Sequence, residues 1–378
     1  MRIVIAMDSF KGSLSSMDAG YAAMEGILRV DPQAEVIVKP LADGGEGTAD
    51  ALIEGLGGRF VTAAATDPLG RRITARYGIM NDNETAVMEM AAAAGISLVE
   101  RNGLDPHIAT TYGAGEMILD AINRGCRKFI IGIGGSATTD GGVGMLQALG
   151  YEFSDSDGNP VPFGIASLDR IEKISSKNAV SELAECHFRI ACDVRNPLCG
   201  ENGAVYVFGK QKGVKENEKN SLDRKMRHYA DKTAEFTGTD NSGAEGAGAA
   251  GGLGFAFLSY LKNVELQPGT DIVLNAVQLE SVIKDSDIVI TGEGRIDLQT
   301  AMGKAPIGVA HLAKKYGKKV IAFAGSISDD AAKCSEEGID AFFPIVRGAA
   351  TLEEAMDKEN AKRNMTLSVE QVFRLLFL

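Results

Sequence analysis

The sequence predicts an α/β fold: a doubly wound parallel sheet into which a second, mixed α/β domain is inserted. Three observations carry this. Short apolar runs alternate with helical patterns at both ends of the 378-residue chain, as strands buried on both faces of a parallel sheet require. The middle instead shows strand-length segments separated by turn residues, the pattern of an antiparallel meander. The 45 glycines, about 12% of the chain against an average near 7%, cluster after expected strands, where α/β sheets bind ligands.

Taken in order, Ile3–Met7 is the first buried strand, and Ser13 to Ser16 offer N-caps for a helix over Met17–Val30 that Asp31-Pro32 stops. Glu35–Pro40 is a second strand, followed by the loop Ala42–Thr48 and a helix ending at Gly57-Gly58. Phe60–Ala65, Ile73–Met80 and Thr85–Met90 form the meander, with turns at 67–70 and 81–83. A helix over Tyr112–Arg124, C-capped by Gly125, leads to a strand at Lys128–Ile133 and a glycine loop. Strands are expected at Phe188–Asp193 and Ala204–Phe208. Gly209–Thr237, dense in mixed charge at helical spacing, reads as a solvated helix. Strands return at Asp287–Thr291, Lys319–Ala324 and Ala341–Ile345, between helices that follow Pro306 and Asp329, and Leu367–Leu376 closes the chain as an amphipathic stretch. The expected division is a Rossmann- or flavodoxin-like domain at 1–62 plus 275–378 and an inserted mixed α/β domain at 63–274. The active site is expected in the cleft between them.

Length alone favours two domains, at about 150 residues each. Lys and Arg number 39 against 51 Asp and Glu, a net charge of −12, which lacks the electrostatic footprint for nucleic acid or an anionic membrane. Small anionic substrates remain compatible, because charge within a cleft decides their binding. Five cysteines, an odd number without C-x-x-C spacing, read as buried free thiols in a reducing compartment. The apolar run before Asp8 is too short for a signal peptide, and no stretch reaches the ~18 apolar residues of a membrane span. A soluble, cytoplasmic protein is expected.

Four loops after expected strands hold the chemistry. Asp8-Ser9-Phe10-Lys11-Gly12-Ser13 sets a carboxylate and a lysine before a helix N-terminus, a combination suited to Mg²⁺ and phosphate. Its plain alternative is a capped helix with Lys11 in solvent. Ala42–Thr48 contains Asp43 and three glycines. Gly132–Gly142 presents Gly134, Gly135, Ser136 and Thr138, whose backbone N–H groups and hydroxyls suit an anion. Thr291–Asp297 carries Gly292, Glu293, Gly294 and Arg295 and leads to Gly303-Lys304. Asp193, at a strand end before Asn196-Pro197, is either a general base or metal ligand or an Asx-turn.

Several motifs fail. Gly246–Gly251 spells G-x-G-x-x-G without a preceding strand. Gly132-x-Gly134-x-x-Ala137 follows a strand, with Asp155 about 20 residues on, and is the better dinucleotide candidate. Asp155, Asp157 and Asn159 imitate a calcium loop, but Pro160 and Ala166 stand where glycine and glutamate are needed. There is no G-x-x-x-x-G-K-[ST], H-E-x-x-H or G-x-S-x-G, and the four histidines do not cluster. What remains is the set of groups used in Mg²⁺-dependent phosphoryl transfer.

DSFKGSLS (Asp8–Ser15), ADGGEGT (Ala42–Thr48), EMAAAAGISL (Glu89–Leu98), GIGGSATTDGG (Gly132–Gly142), DVRNPLCGENGAVYVFGKQKG (Asp193–Gly213), GAGAAGGLG (Gly246–Gly254) and ITGEGRIDLQTAMGKAPIGVA (Ile290–Ala310) stand in order over nearly the whole chain. In these blocks the chain resembles the bacterial glycerate kinase family that lacks the common phosphate loop. Met7, Thr139, Lys210 and Glu245 depart from that pattern without removing a charged group assigned a role here. The resemblance implies ATP-dependent phosphorylation of D-glycerate, at the 2-hydroxyl to give 2-phospho-D-glycerate. The 3-hydroxyl is the alternative position, and an NAD-dependent hydroxy-acid dehydrogenase is the distant alternative chemistry. Expected roles are Asp193, Lys11 and Asp297 in catalysis, with Asp193 the first candidate base. Gly134, Gly135, Ser136, Thr138, Gly292 and Gly294 would bind phosphate, Lys212 and Arg71 the glycerate carboxylate, and Asp8, Asp43 and Glu293 the Mg²⁺. The partners expected are glycerate and ATP, for a monomer or homodimer.

Overall fold

In the computed structural model, which describes residues 1–377, the chain divides into two compact units. One comprises Met1–Asp43, Asp50–Gly57 and the chain from Thr270 onward; the other comprises Gly44–Ala49 and Gly58–Gly269.

The first unit holds a five-stranded, all-parallel sheet in the order Ala341–Pro344, Lys319–Ile327, Ile288–Ile296, Arg2–Met7, Glu35–Pro40. Ile3, Val4, Ile5, Ala6 and Met7 are all fully buried, as a central strand covered on both faces demands. Helix Ser16–Leu28 is capped by Ser15, whose hydroxyl accepts from Asp18 N at 3.2 Å. It packs with helix Lys358–Leu376 over one face, joining Ala19, Ala23 and Ile27 to Met365, Val369 and Phe373. Gly26 permits that approach, since a Cβ there would strike the Thr366 carbonyl.

The second unit holds a six-stranded mixed sheet in the order Val264–Gln267, His187–Ala191, Lys128–Gly132, Thr85–Glu89, Arg72–Met80, Gly58–Thr66. Its last three strands are the antiparallel meander, and the remaining pairings are parallel. Tyr77, Phe129, Phe188 and Phe257 anchor its core, with the Phe129 and Phe188 rings stacked at 4.9 Å.

Two expectations are corrected. Ala204–Phe208 is a short α-helix, not a strand. A five-residue apolar run carries no period of its own, and here Ala204 and Val205 turn inward while Val207 is exposed. Thr291–Ile296, expected as a loop, is strand, because Ile288–Ile296 pairs with Lys319–Ile327 through Ile296 and Ile327. Its glycines read as loop residues, yet a Cβ on Gly292 would run into the Phe323 carbonyl of the neighbouring strand.

Candidate active site

At the C-terminal ends of the first unit's strands lies a cavity of about 740 Å³. The Arg2–Met7 strand delivers Asp8, whose N–H donates to Gly292 O at 2.8 Å while its Oδ1 accepts from Ser9 N at 2.6 Å. Ser16 secures this corner by donating to Met7 O and accepting from Leu41 N. Asp43 follows the second strand, and Glu293 emerges from the Ile288–Ile296 strand. Lys11, Arg295, Asp297 and Lys304 complete the charged part of the lining, with Gly294 beside them.

Burial dominates the electrostatics of this corner. Burial, with Asp43 and Glu293 adding repulsion, pushes the Asp8 carboxyl up to about 7, although Lys11 and the Ser9 N–H oppose the shift. Glu293 is also raised, by burial first, against a 2.7 Å hydrogen bond from Thr300 Oγ1 and the Lys304 ammonium 3.8 Å away. Asp297 is otherwise engaged. Its Oδ1 caps the turn Leu298–Ala301 by accepting from Gln299 N and Thr300 N, and its Oδ2 lies 3.5 Å from Arg295. Among the described residues no three Asp, Glu, His or Cys side chains converge tightly enough to hold a metal ion alone.

In the second unit the Lys128–Gly132 strand leads to Gly134 and Gly135, both exposed, and then to Ser136 and Thr138, both buried. The loop is pinned by Ile96 N donating to Gly135 O and Ala137 N donating to Ala94 O. Lys212 is 2% exposed, and its Nζ donates to Ser136 Oγ and Thr138 O, each at 2.7 Å. Burial pushes its ammonium down to about 7, with Asp140 opposing. The Thr138 hydroxyl is buried without a partner and faces the interior.

The remaining expected residues occupy separate places. Arg71 is clamped on buried Asp67, Nε to Oδ2 at 2.6 Å, with most of its side chain exposed. Asp193 lies just beyond the His187–Ala191 strand, exposed, accepting from Gly269 N at 3.0 Å. The structure thus gathers Asp8, Lys11, Asp43, Glu293, Gly294 and Asp297 around one cavity, and Lys212 behind Ser136 and Thr138. Gly292 is not in the cavity lining.

Three residues were missed by sequence reasoning. Asp140, fully buried, accepts from Thr111 N and Oγ1 and from Gly142 N and Gly144 N, stapling the glycine loop to two helix starts. Glu89 accepts from Gly47 N and Ala49 N and thereby shapes the Ala42–Thr48 loop. Thr300 orients Glu293. Each is a polar residue at an element end, a signal visible in the sequence but shared with ordinary caps.

Carboxylates and lysines beyond the ends of a parallel sheet, in a chain whose second unit carries an open glycine loop, define an α/β enzyme of the phosphoryl-transfer class. The sequence profile of the glycerate kinase family matches residues 3–377, and the chain belongs to that family. It is 46% identical over 375 residues to the glycerate kinase of Bacillus subtilis (strain 168), covering 98% of each chain. It is 46% identical over 355 residues to the glycerate 2-kinase of Escherichia coli (strain K12), covering 94% of this chain and 93% of the relative. A crystal structure of a protein assigned as glycerate kinase 2 from Salmonella typhimurium LT2 matches with a TM-score of 0.92 at 43% identity, covering 100% of this chain and 98% of that one. These likenesses decide for the kinase over the dehydrogenase alternative. The five cysteines are free thiols, all buried except the half-buried Cys192. No helix among the described residues is long and apolar enough to cross a membrane.

Proposed function

We propose that this chain transfers the terminal phosphoryl group of ATP to the 2-hydroxyl of D-glycerate. The observation that carries the reading is the first unit's cavity, where Asp8, Asp43 and Glu293 share a wall with Lys11 and Lys304 in a member of this family. The donor set fits Mg²⁺. Oxygen ligands are what the ion takes, and it is ordinarily bound by one or two carboxylates plus substrate phosphates rather than by an all-protein cage. Burial and the neighbouring carboxylates raise the Asp8 carboxyl against the opposing Lys11 ammonium, and a divalent cation beside it would favour its charged form. Asp8, Asp43 and Glu293 would hold the ion, which supplies charge neutralisation on the transferred group.

Lys11, exposed at the cavity, balances negative charge on the phosphoryl group. Asp193, exposed just beyond its strand, is the candidate base for the glycerate hydroxyl proton, with Asp297 second. Gly134, Gly135 and Ser136 offer the loop for an anion, and Arg71, exposed beyond its Asp67 clamp, is the candidate partner of the glycerate carboxylate. Lys212 acts from behind Ser136. The free thiols agree with a reducing, cytoplasmic setting.

The test is ³¹P NMR of the protein with Mg²⁺, ATP and D-glycerate. A phosphomonoester signal of 2-phosphoglycerate is expected. A 3-phosphoglycerate signal would correct the position, and intact ATP with no new phosphomonoester would overturn the reading.

A further inference from the structure

The first unit's cavity is larger than its charged wall. Its apolar lining includes Phe10, Ile345, Val346, Leu352, Ala355 and Met356. At about 740 Å³ the space is of the size that holds cofactor-scale ligands. Glycerate, a three-carbon polar acid, would leave the apolar part unfilled.

The segment that forms this wall has an unusual backbone. Ile345 is buried and tied to the sheet through Ala324 O. The next stretch, Val346–Ala350, lies outside any helix or strand, and among the described residues none of its N–H groups donates to a protein acceptor. The short helix Leu352–Met356 then begins at Thr351, with Leu352 75% exposed. On the other side of this strap is a second hollow of about 380 Å³ with a polar lining that includes Arg347, Asn360 and Arg363. The strap therefore gives Ile345, Leu352 and Met356 to the charged cavity and Arg347 and Glu354 to the polar hollow, while Val346, Ala350 and Ala355 line both. Its inner end reaches the Asp8–Ser13 loop: a Cβ on Gly12 would meet Met356 Cε at 2.6 Å. Ser13, in the same lining, has a buried hydroxyl without a partner.

A heteroaromatic base needs an apolar slot for its faces and a few backbone donors or acceptors for its edge. We infer that the strap Ile345–Met356, with Phe10, forms the site for the purine base of the nucleotide donor, the Val346–Ala350 backbone bonding the edge of the ring. This rests on the kinase reading and extends it, since that reading assigns residues only to phosphates, metal and glycerate. The charged wall then receives the phosphates of the same molecule, and the buried Ser13 hydroxyl offers the nucleotide a further hydrogen bond.

Photolabelling of the intact wild-type protein by 8-azido-ATP with Mg²⁺, followed by peptide mapping, tests the assignment. Label within residues 345–361, suppressed by adenosine as well as by ATP, is expected. Label confined to peptides of the second unit, such as the one holding Gly134–Thr138, would overturn it. Two variants that narrow the slot, Ala355→Phe and Ala350→Phe, read it independently. The KM for ATP should rise about ten-fold or more relative to that for glycerate, and no change in either folded variant would also overturn it. If the wild-type protein does not phosphorylate glycerate, the kinase reading falls, while the labelling still reports on the base site.

Discussion

Asp8 is 8% exposed, and its folded-state pKa of about 7 has consequences that can be signed. Between roughly pH 4 and 7 the folded protein keeps a proton that the unfolded chain has released, so stability falls as pH rises through that window, and the penalty stands in full above it. Asp8→Asn should therefore melt higher than wild type near pH 8 and gain little near pH 4, while kcat falls by about 10²-fold or more. Thermal denaturation at both pH values with steady-state kinetics checks this, and a variant that melts lower near pH 8 would contradict it. Lys212 runs the other way. Its ammonium is depressed to about 7, so the cost of burying it is complete below about 7 and fades as pH climbs toward the ordinary lysine value. An anion arriving at the Gly134–Ser136 loop favours the charged form, so glycerate bound there should take up a proton above about pH 7. Calorimetry in two buffers of different ionisation heat measures that uptake. Equal heats in both would remove Lys212 from the binding step.

Elements show where sequence reasoning succeeds and where packing takes over. Ile3–Met7 was legible because a buried parallel strand is apolar without interruption, and Glu35–Pro40, half-buried at the sheet edge, through its Val-Ile-Val run; both stand nearly as expected. The Thr291–Asp297 segment was legible as chemistry but not as structure. Its glycines look like loop residues until the neighbouring strand is in place. Gly292→Ala puts this to the test, because the new Cβ has only the Phe323 carbonyl to move into. The expected loss is about 2–4 kcal/mol, read as a lower urea midpoint with an unchanged slope; a loss under about 0.5 kcal/mol would mean the strands part easily there. The glycine loop shows the complementary limit. Gly134, Gly135 and Ser136 are evident as an anion-ready turn, but that Thr138 faces inward and that Lys212 reaches Ser136 from 76 residues away depends on tertiary contacts. No local pattern encodes such contacts.

At the scale of the whole molecule, the chain carries a separate hydrophobic core in each unit, one built around Ile5, Phe323 and Phe373 and the other around Tyr77, Phe129 and Phe257. The change of strand pattern between the ends and the middle of the sequence follows from this, because each core imposes its own strand pattern on the segments that build it. Cores that are separate can open separately, and a ligand protects the unit whose closed form it binds. The nucleotide is assigned to the first unit, whose sheet, charged wall and strap all come from Met1–Asp43 and the chain beyond Thr270. Mg²⁺ with ATP at about 100 times its dissociation constant should thus add about 2.7 kcal/mol to the opening free energy of that unit. In hydrogen exchange the added protection should appear in Arg2–Met7, Ile288–Ile296 and Lys319–Ile327. The strands Lys128–Gly132 and His187–Ala191 should exchange as before. Equal protection in both sets would mean that the two units open as one, and protection only in the second set would place the nucleotide on the glycine loop and take with it the assignment of the base to the strap.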